Sequence, residues 1–373
     1  MRFGPSLGAA YAYASAINHH LRRSGWVELT SGVYTAGRII LPSGSRLTVE
    51  SGATLKAHSG LGIPVVASDA LILAVDAVGV KVEGAGRVET EGSGVWFTRG
   101  SDHTVEGVTF HRATPGGDAV VSQLRGVRAT DCTGVTVDGV TVENYDLGIE
   151  MWRDSGGATV RDCIVRGPYG ISLDDSKVSA VTGSVVEGVE GETMFNTGIE
   201  LAATVGGFVE NNSVTIPASA VDGLRLAVLV GRAGSGVQGS DDAVVRGNTF
   251  VGGRRCWITR SSDVLFEQNT CNNQTDRGIL ISSDLDEANL SLAPVVNVTV
   301  RQNTVRSSAG RGIEVQAFSG LVADNDVRDC AGAGVYAVGL SNEGALVTVG
   351  PNTSVNNGEP DTVTGVTAAV LVP

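Results

Sequence analysis

The chain has 373 residues, of which 42% are hydrophobic and 18% charged, with 51 glycines. That composition is globular and excludes an intrinsically disordered chain. The net charge of −13 argues against a nucleic-acid partner, and no apolar run reaches a membrane span, since ALILAVDAVGV (70–80) is interrupted by Asp76.

The chain opens MRFGPSLGAAYAYASAINHHLRR. Its apolar part contains Gly and Pro and is too weak for a secretory leader, so 8–23 is read as an amphipathic helix. The expectation is a capping helix over about 8–25, in a protein that is cytoplasmic or part of a particle.

From there the chain repeats itself. One unit reads Gly-Ile-x-φ, where φ is apolar. It occurs as LGIEMW (147–152), YGISLD (169–174), TGIELA (197–202), DGLRLA (222–227), RRCWIT (254–259), RGILIS (277–282), RGIEVQ (311–316) and AGVYAV (333–338), at steps of 22 to 34 residues. A second unit follows, as TVRDCIV (159–165), FVENNSV (208–214), VVRGNTF (244–250), LFEQNTC (265–271), TVRQNTV (299–305) and LVADNDV (321–327). HTVEGVTF (103–110) and VTVDGVTV (135–142) are earlier members. These are short strands of period 2 separated by turn residues. Strands that recur at such steps stack in parallel, so equivalent residues of successive coils form columns about 4.8 Å apart. Asn212, Asn248, Asn269, Asn303 and Asn325 form one column. Asparagine suits a stacked turn because it tolerates a left-handed backbone and can bond to the next coil. The fold class predicted is all-β, a single-stranded right-handed parallel β-helix with an N-terminal cap, as one domain over 1–373.

In Gly-Ile-x-φ, Ile and φ face inward and x faces outward. The outward column reads Glu150, Ser172, Glu200, Arg225, Trp257, Leu280, Glu314 and Tyr336. Two residues further on it reads Trp152, Asp174, Ala202, Ala227, Thr259, Ser282, Gln316 and Val338. Acids, arginines and tryptophans therefore concentrate on one face. Aromatic planes and guanidinium forks suit sugar rings and their hydroxyls. Paired carboxylates suit glycosidic hydrolysis, and adjacent or alternate coils supply separations of roughly 5 or 10 Å. Asp174 points outward, and Asp175 begins the next turn. A lyase or epimerase would need a base instead, for which Tyr169, Lys177 and Arg225 are candidates. The alternative is a solvated solenoid face without chemistry. His58, His103 and His111 read as surface or turn residues. Cys132, Cys163, Cys256, Cys271 and Cys330 lack metal-ligand spacing and read as small buried hydrophobes. No cofactor motif is found, and a role for calcium is left open.

The stretch 16–57, AINHHLRRSGWVELTSGVYTAGRIILPSGSRLTVESGATLKA, resembles the opening helix and first strands of the pectin-lyase-like β-helix superfamily, within it the polygalacturonase-like glycoside hydrolases. GAGRVETEGSGVW (84–96) is similar to the family's glycine-rich turn before a Trp. VTVDGVTVENYDLGIEM (135–151) resembles the strand pair leading to its G-D-D-C motif, with Asp146 at the first aspartate. GPYGISLDDS (167–176) resembles the G-H-G segment. The resemblance covers roughly 10 to 190 and implies the β-helix and an acid role for Asp146. Leu147 stands at the second aspartate and Tyr169 at the histidine, and N-T-D and R-I-K are absent.

The expected function is cleavage of glycosidic bonds in a polysaccharide or oligosaccharide lying along the parallel sheet. Asp146, Glu150, Asp174, Asp175, Glu200 and Tyr169 are the catalytic candidates. Trp152, Arg153, Lys177, Arg225, Trp257 and Arg260 are the substrate-binding ones. A polysaccharide lyase or epimerase, a non-catalytic sugar-binding or tailspike-like β-helix (homotrimeric in that case), and a small-molecule isomerase or cyclase are the alternatives.

Overall fold

The computed structural model describes residues 2–3, 10–58, 70–114, 124–153, 156–189, 195–217, 224–231, 239–282, 295–317, 319–339, 346–364 and 368–369. It is a right-handed parallel β-helix, as the repeat predicts. The chain forms two compact units, residues 1–172 and 173–373.

In the first unit each coil contributes one strand to each of three parallel sheets. The first sheet runs through Trp26–Leu29, Arg46–Val49, Lys81–Glu83, Thr104–Glu106, Thr136–Asp138 and Thr159–Arg161. Its middle residues fall in register, as Val27, Leu47, Val82, Val105, Val137 and Val160, and all are fully buried. A buried valine column of this kind is worth about 1.5–3 kcal/mol per side chain in removed apolar surface. The second sheet does the same with Leu55, Val88, Phe110, Val142 and Val165. The third sheet takes Ile39–Ile40, Ala70–Val75, Ser93–Ser101, Arg125–Thr133 and Leu147–Trp152. Its repeated glycine answers to close packing. A Cβ on Gly148 would sit 2.2 Å from Val165 Cγ1.

The N-terminal helix spans Ala10–Ser24 and packs on the first strands of the sheets, burying Tyr13, Ile17 and Leu21. Asn18 pins it, donating to the Arg38 carbonyl at 3.0 Å and accepting from the Ile40 amide at 2.7 Å. Gly25, at φ 70°, ends it in the left-handed conformation that favours glycine.

The second unit repeats the three-sheet plan, and its asparagines form a ladder. Asn212, Asn248, Asn269, Asn303 and Asn325 each donate from Nδ2 to Oδ1 of the next, ending on Asn352, at 2.9–3.1 Å. Asn352 extends the column read from the sequence. The left-handed residue is one place earlier than expected. Positive φ belongs to Asn211, Gly247, Gln268, Gln302 and Asp324, which frees each following Asn to reach along the stack.

Two further expectations are corrected. Arg225 does not stand beside Glu200 in the outward column, because its strand, Leu224–Val230, pairs four residues away from the alignment that the motif suggests. Glu200 pairs with Leu229, and Leu229 with Trp257, while Arg225 pairs with Asn196. His103 is not a surface residue. It is 1% exposed and stacked on Phe97 at 4.5 Å, and burial lowers its pKa. The five cysteines are buried and none forms a disulfide with another.

Candidate functional site on the outer face of the third sheet

In the first unit the outward positions Trp96, Arg128 and Glu150 lie on successive strands in direct register. Thr98, Thr130 and Trp152 form the row beside them. Alternation therefore brings two indoles, a guanidinium and a carboxylate together, although 56 positions separate the first from the last in sequence (152 − 96). The Arg128 guanidinium lies between the indoles, 4.9 Å from the Trp96 ring centroid and 4.8 Å from that of Trp152. Arg153 covers Trp152 at 4.2 Å. The Trp96 indole donates to Thr130 Oγ1 at 3.1 Å, which fixes the ring. Each such cation–π contact contributes about 0.5–2 kcal/mol, more as it is desolvated. Both indoles stay half-buried, so part of each ring is open to solvent.

Glu150 anchors the group from the neighbouring strand. Arg125 grips it bidentately, Nε to Oε2 at 3.1 Å and Nη2 to Oε1 at 3.0 Å, and Arg128 Nε lies 2.7 Å from Oε2. All three side chains are buried. Burial pulls the Arg128 pKa down, Glu150 opposes that shift, and Arg125 and Arg153 add to it. Both oxygens of this carboxylate are engaged by guanidiniums, which fixes its position. That suits a clamp better than a proton donor.

The remaining candidates fall in several settings. Asp146 is fully buried, accepting from the Leu124 amide at 2.9 Å and lying 3.2 Å from Arg112 Nη1. It braces a turn rather than facing a ligand. Tyr169 is half-buried at the start of its strand. In the second unit Asp174 ends a strand half-buried and Glu200 is half-buried. Asp175 is an exposed turn residue at φ 53°, and Lys177 is exposed. Arg225 and Arg260 are 4% and 5% exposed, and burial lowers the Arg225 pKa. Trp257 is not displayed as expected. It is 1% exposed, packed with Leu226, Leu229 and Leu280, and its indole donates to Ser282 Oγ at 3.2 Å. The outward column there is covered and apolar, so Trp257 joins a second core instead of offering a stacking face.

Trp96, Arg125 and Arg128 were missed by the sequence reading. The signal was present, since SGVWFT (93–98) and RGVRAT (125–130) follow the same alternation with Val for Ile. Among the described residues no group of three or more His, Cys, Asp or Glu side chains is placed to hold a metal ion. A separate recess of about 280 Å³ in the first unit is lined in part by His58, Glu89 and Glu91. Glu89 there is already bound by Arg87 at 2.9 Å and Lys56 at 3.5 Å.

The sequence matches the family described as the right-handed beta helix region over two overlapping stretches, residues 66–221 and 148–357. No curated protein matches it. Among solved structures the chain is similar to PfbA, a surface adhesin of Streptococcus pneumoniae, at 11% identity and TM-score 0.58, covering 95% of this chain and 87% of that one. It is similar to a hyperthermoactive exopolygalacturonase from Thermotoga maritima at 14% and 0.54, covering 93% and 87%. A tailspike protein of E. coli bacteriophage HK620 in complex with pentasaccharide is similar at 12% and 0.57, covering 98% and 76%. At these identities the likeness is one of fold.

Proposed function

The chain belongs to the right-handed β-helix family, and on that premise we propose that it binds carbohydrate on the outer face of the third sheet, with Trp96 and Trp152 as the stacking platform. One observation carries the reading: two half-open indoles held rigid around Arg128 by Thr130, Arg153 and the Glu150 clamp. Stacking surfaces that cost no ordering on binding favour sugar rings, and the guanidiniums offer donors to hydroxyl or acidic substituents. Structural neighbours that handle sugars by their own titles, a tailspike with pentasaccharide and an exopolygalacturonase, support the choice of ligand class. The adhesin among them shows that the fold also serves proteins described by attachment.

The test is binding to a panel of neutral and acidic glycans by wild type, Trp96→Ala and Trp152→Ala. Each substitution is expected to weaken the best ligand tenfold or more, in line with about 1.4 kcal/mol or more per lost stacking contact. No binding across the panel, or variants that bind like wild type, would reject the platform.

The second reading is hydrolysis. It rests on Asp174 and Glu200, two carboxylates in the second unit that are only half-buried, unlike Asp146 and Glu150. Its measurement is release of reducing ends from the same panel, beside absorbance of unsaturated uronates, with Asp174→Asn as control. Reducing ends without absorbance, lost in the variant, mark a hydrolase, and absorbance marks a lyase. Binding without either leaves a non-catalytic sugar-binding β-helix.

A further inference from the structure

The second unit gathers four arginines on the outer ends of its third-sheet strands. Arg254 and Arg255 stand at the start of Arg255–Ile258, Asp276 and Arg277 just before Ile279–Ile281, and Arg311 just before Ile313–Ala317. Asp276 Oδ2 is contacted by three of them, Arg254 Nε at 3.4 Å, Arg255 Nη2 at 2.8 Å and Arg277 Nη1 at 2.9 Å. Arg277 also reaches fully buried Glu314, which takes Arg311 Nη1 at 2.9 Å and the Gln316 amide at 2.8 Å. Arg311 lies 3.6 Å from the ring centroid of half-buried Tyr336. Four guanidiniums against two carboxylates leave this group at +2, on a chain whose net charge is −13.

The surplus is not an ordinary surface ladder. Arg255 is 4% exposed, and its Nε is buried without a hydrogen-bond partner among the described residues. A buried guanidinium donor left unmade is costly, and guanidiniums gathered this closely repel one another. Burial pushes the Arg255 pKa down to about 10, with Arg254 and Arg277 acting in the same direction and Asp276 and Glu314 against it. The two carboxylates hold the arginines together without neutralising them. An anion placed among their forks would offset the surplus, and arginine forks match planar and tetrahedral oxyanions.

We propose that Arg254, Arg255, Arg277 and Arg311 form an oxyanion-binding station on the second unit, one that takes the carboxylate or sulfate group of a ligand. The station stands on the second unit alone and does not depend on the tryptophan platform of the first. The test is isothermal titration of the whole protein with sodium glucuronate and with sodium sulfate, against sodium chloride at matched ionic strength. Wild type is expected to bind one or both probes saturably, and the stronger probe names the chemistry of the ligand. Arg311→Ala and Arg254→Ala are expected to weaken that binding tenfold or more, with circular dichroism unchanged. Arg254 is only partly buried, so its variant keeps the test valid should Arg311→Ala fold poorly. Arg99→Ala, whose exposed ion pair with Asp76 lies outside both arginine groups, is expected to bind these probes as wild type does. No saturable heat with either probe, or an Arg254→Ala variant that binds like wild type, would overturn the station.

Discussion

A single carboxylate shows how this solenoid uses ion pairs. Glu267 is 4% exposed and is held by Arg246 at 2.6 Å and Arg301 at 2.7 Å. Burial alone would raise its pKa, but the two guanidiniums overcome burial and hold it below the ordinary value of 4.5. A depressed carboxyl contributes stability above its unfolded-state pKa and loses it as pH falls through the folded-state value. Glu267→Gln is therefore expected to cost about 1–2 kcal/mol at pH 7, the arginines being partly solvated. The gap to wild type should close in acid below pH 4.5, read by urea denaturation at several pH values. A second residue carries strain. Val178 has φ 48° and is 67% exposed, and it stands where Gly206 stands in the following coil, its amide bonding to the Val205 carbonyl. A left-handed β-branched residue costs about 1–2 kcal/mol, more than the chain entropy a glycine adds. Val178→Gly is expected to raise stability by about 0.5–1 kcal/mol, measured as a higher urea midpoint at unchanged slope.

At the scale of the element, the asparagine ladder is the feature most open to a reading of sequence alone. It recurs at one place in six successive coils of the second unit, and stacking turns recurrence into contact. Asn269 donates to Asn303 Oδ1 and the Val245 carbonyl, and accepts from the Asn248 amide and side chain. Asn269→Ala removes all four contacts inside the core, so a loss of about 2–4 kcal/mol is expected in equilibrium unfolding. Gln268→Ala, one place earlier and outside the ladder, should cost less than half of that. The site was less legible than the ladder. A sheet face is assembled by register, and register follows strand length and bulges that no single coil announces. The motif aligns Arg225 with Glu200, but the strand pairing runs four residues away from that alignment and sets Leu229 opposite Glu200 and Arg225 opposite Asn196. Trp257 was then covered by Leu226, Leu229 and Leu280, although its alternation is outward. Trp96 and Arg128 were hidden for a different reason, because the Gly-Ile-x-φ repeat is read only from Gly148 onward. Asp146 looked chemical by resemblance, yet the fold seals it against Arg112 and the Leu124 amide.

At the scale of the molecule, acids outnumber bases, 40 against 27, while two groups of arginines stand along the third sheet. In the first unit they surround Glu150 and two tryptophans, and in the second they surround Asp276 and Glu314. The three-sheet core explains why such faces can be rigid, since each outward side chain stands on a column of buried Val, Ile and Leu. The most direct measurement is a titration of the tightest-binding glycan from the panel, followed by intrinsic tryptophan fluorescence and calorimetry, in wild type and in the Trp96→Phe/Trp152→Phe double variant. Ligand should perturb wild-type fluorescence, and the double variant should lose that response together with at least tenfold in affinity. Equal affinity in the double variant would contradict the account and move the ligand away from the tryptophan platform.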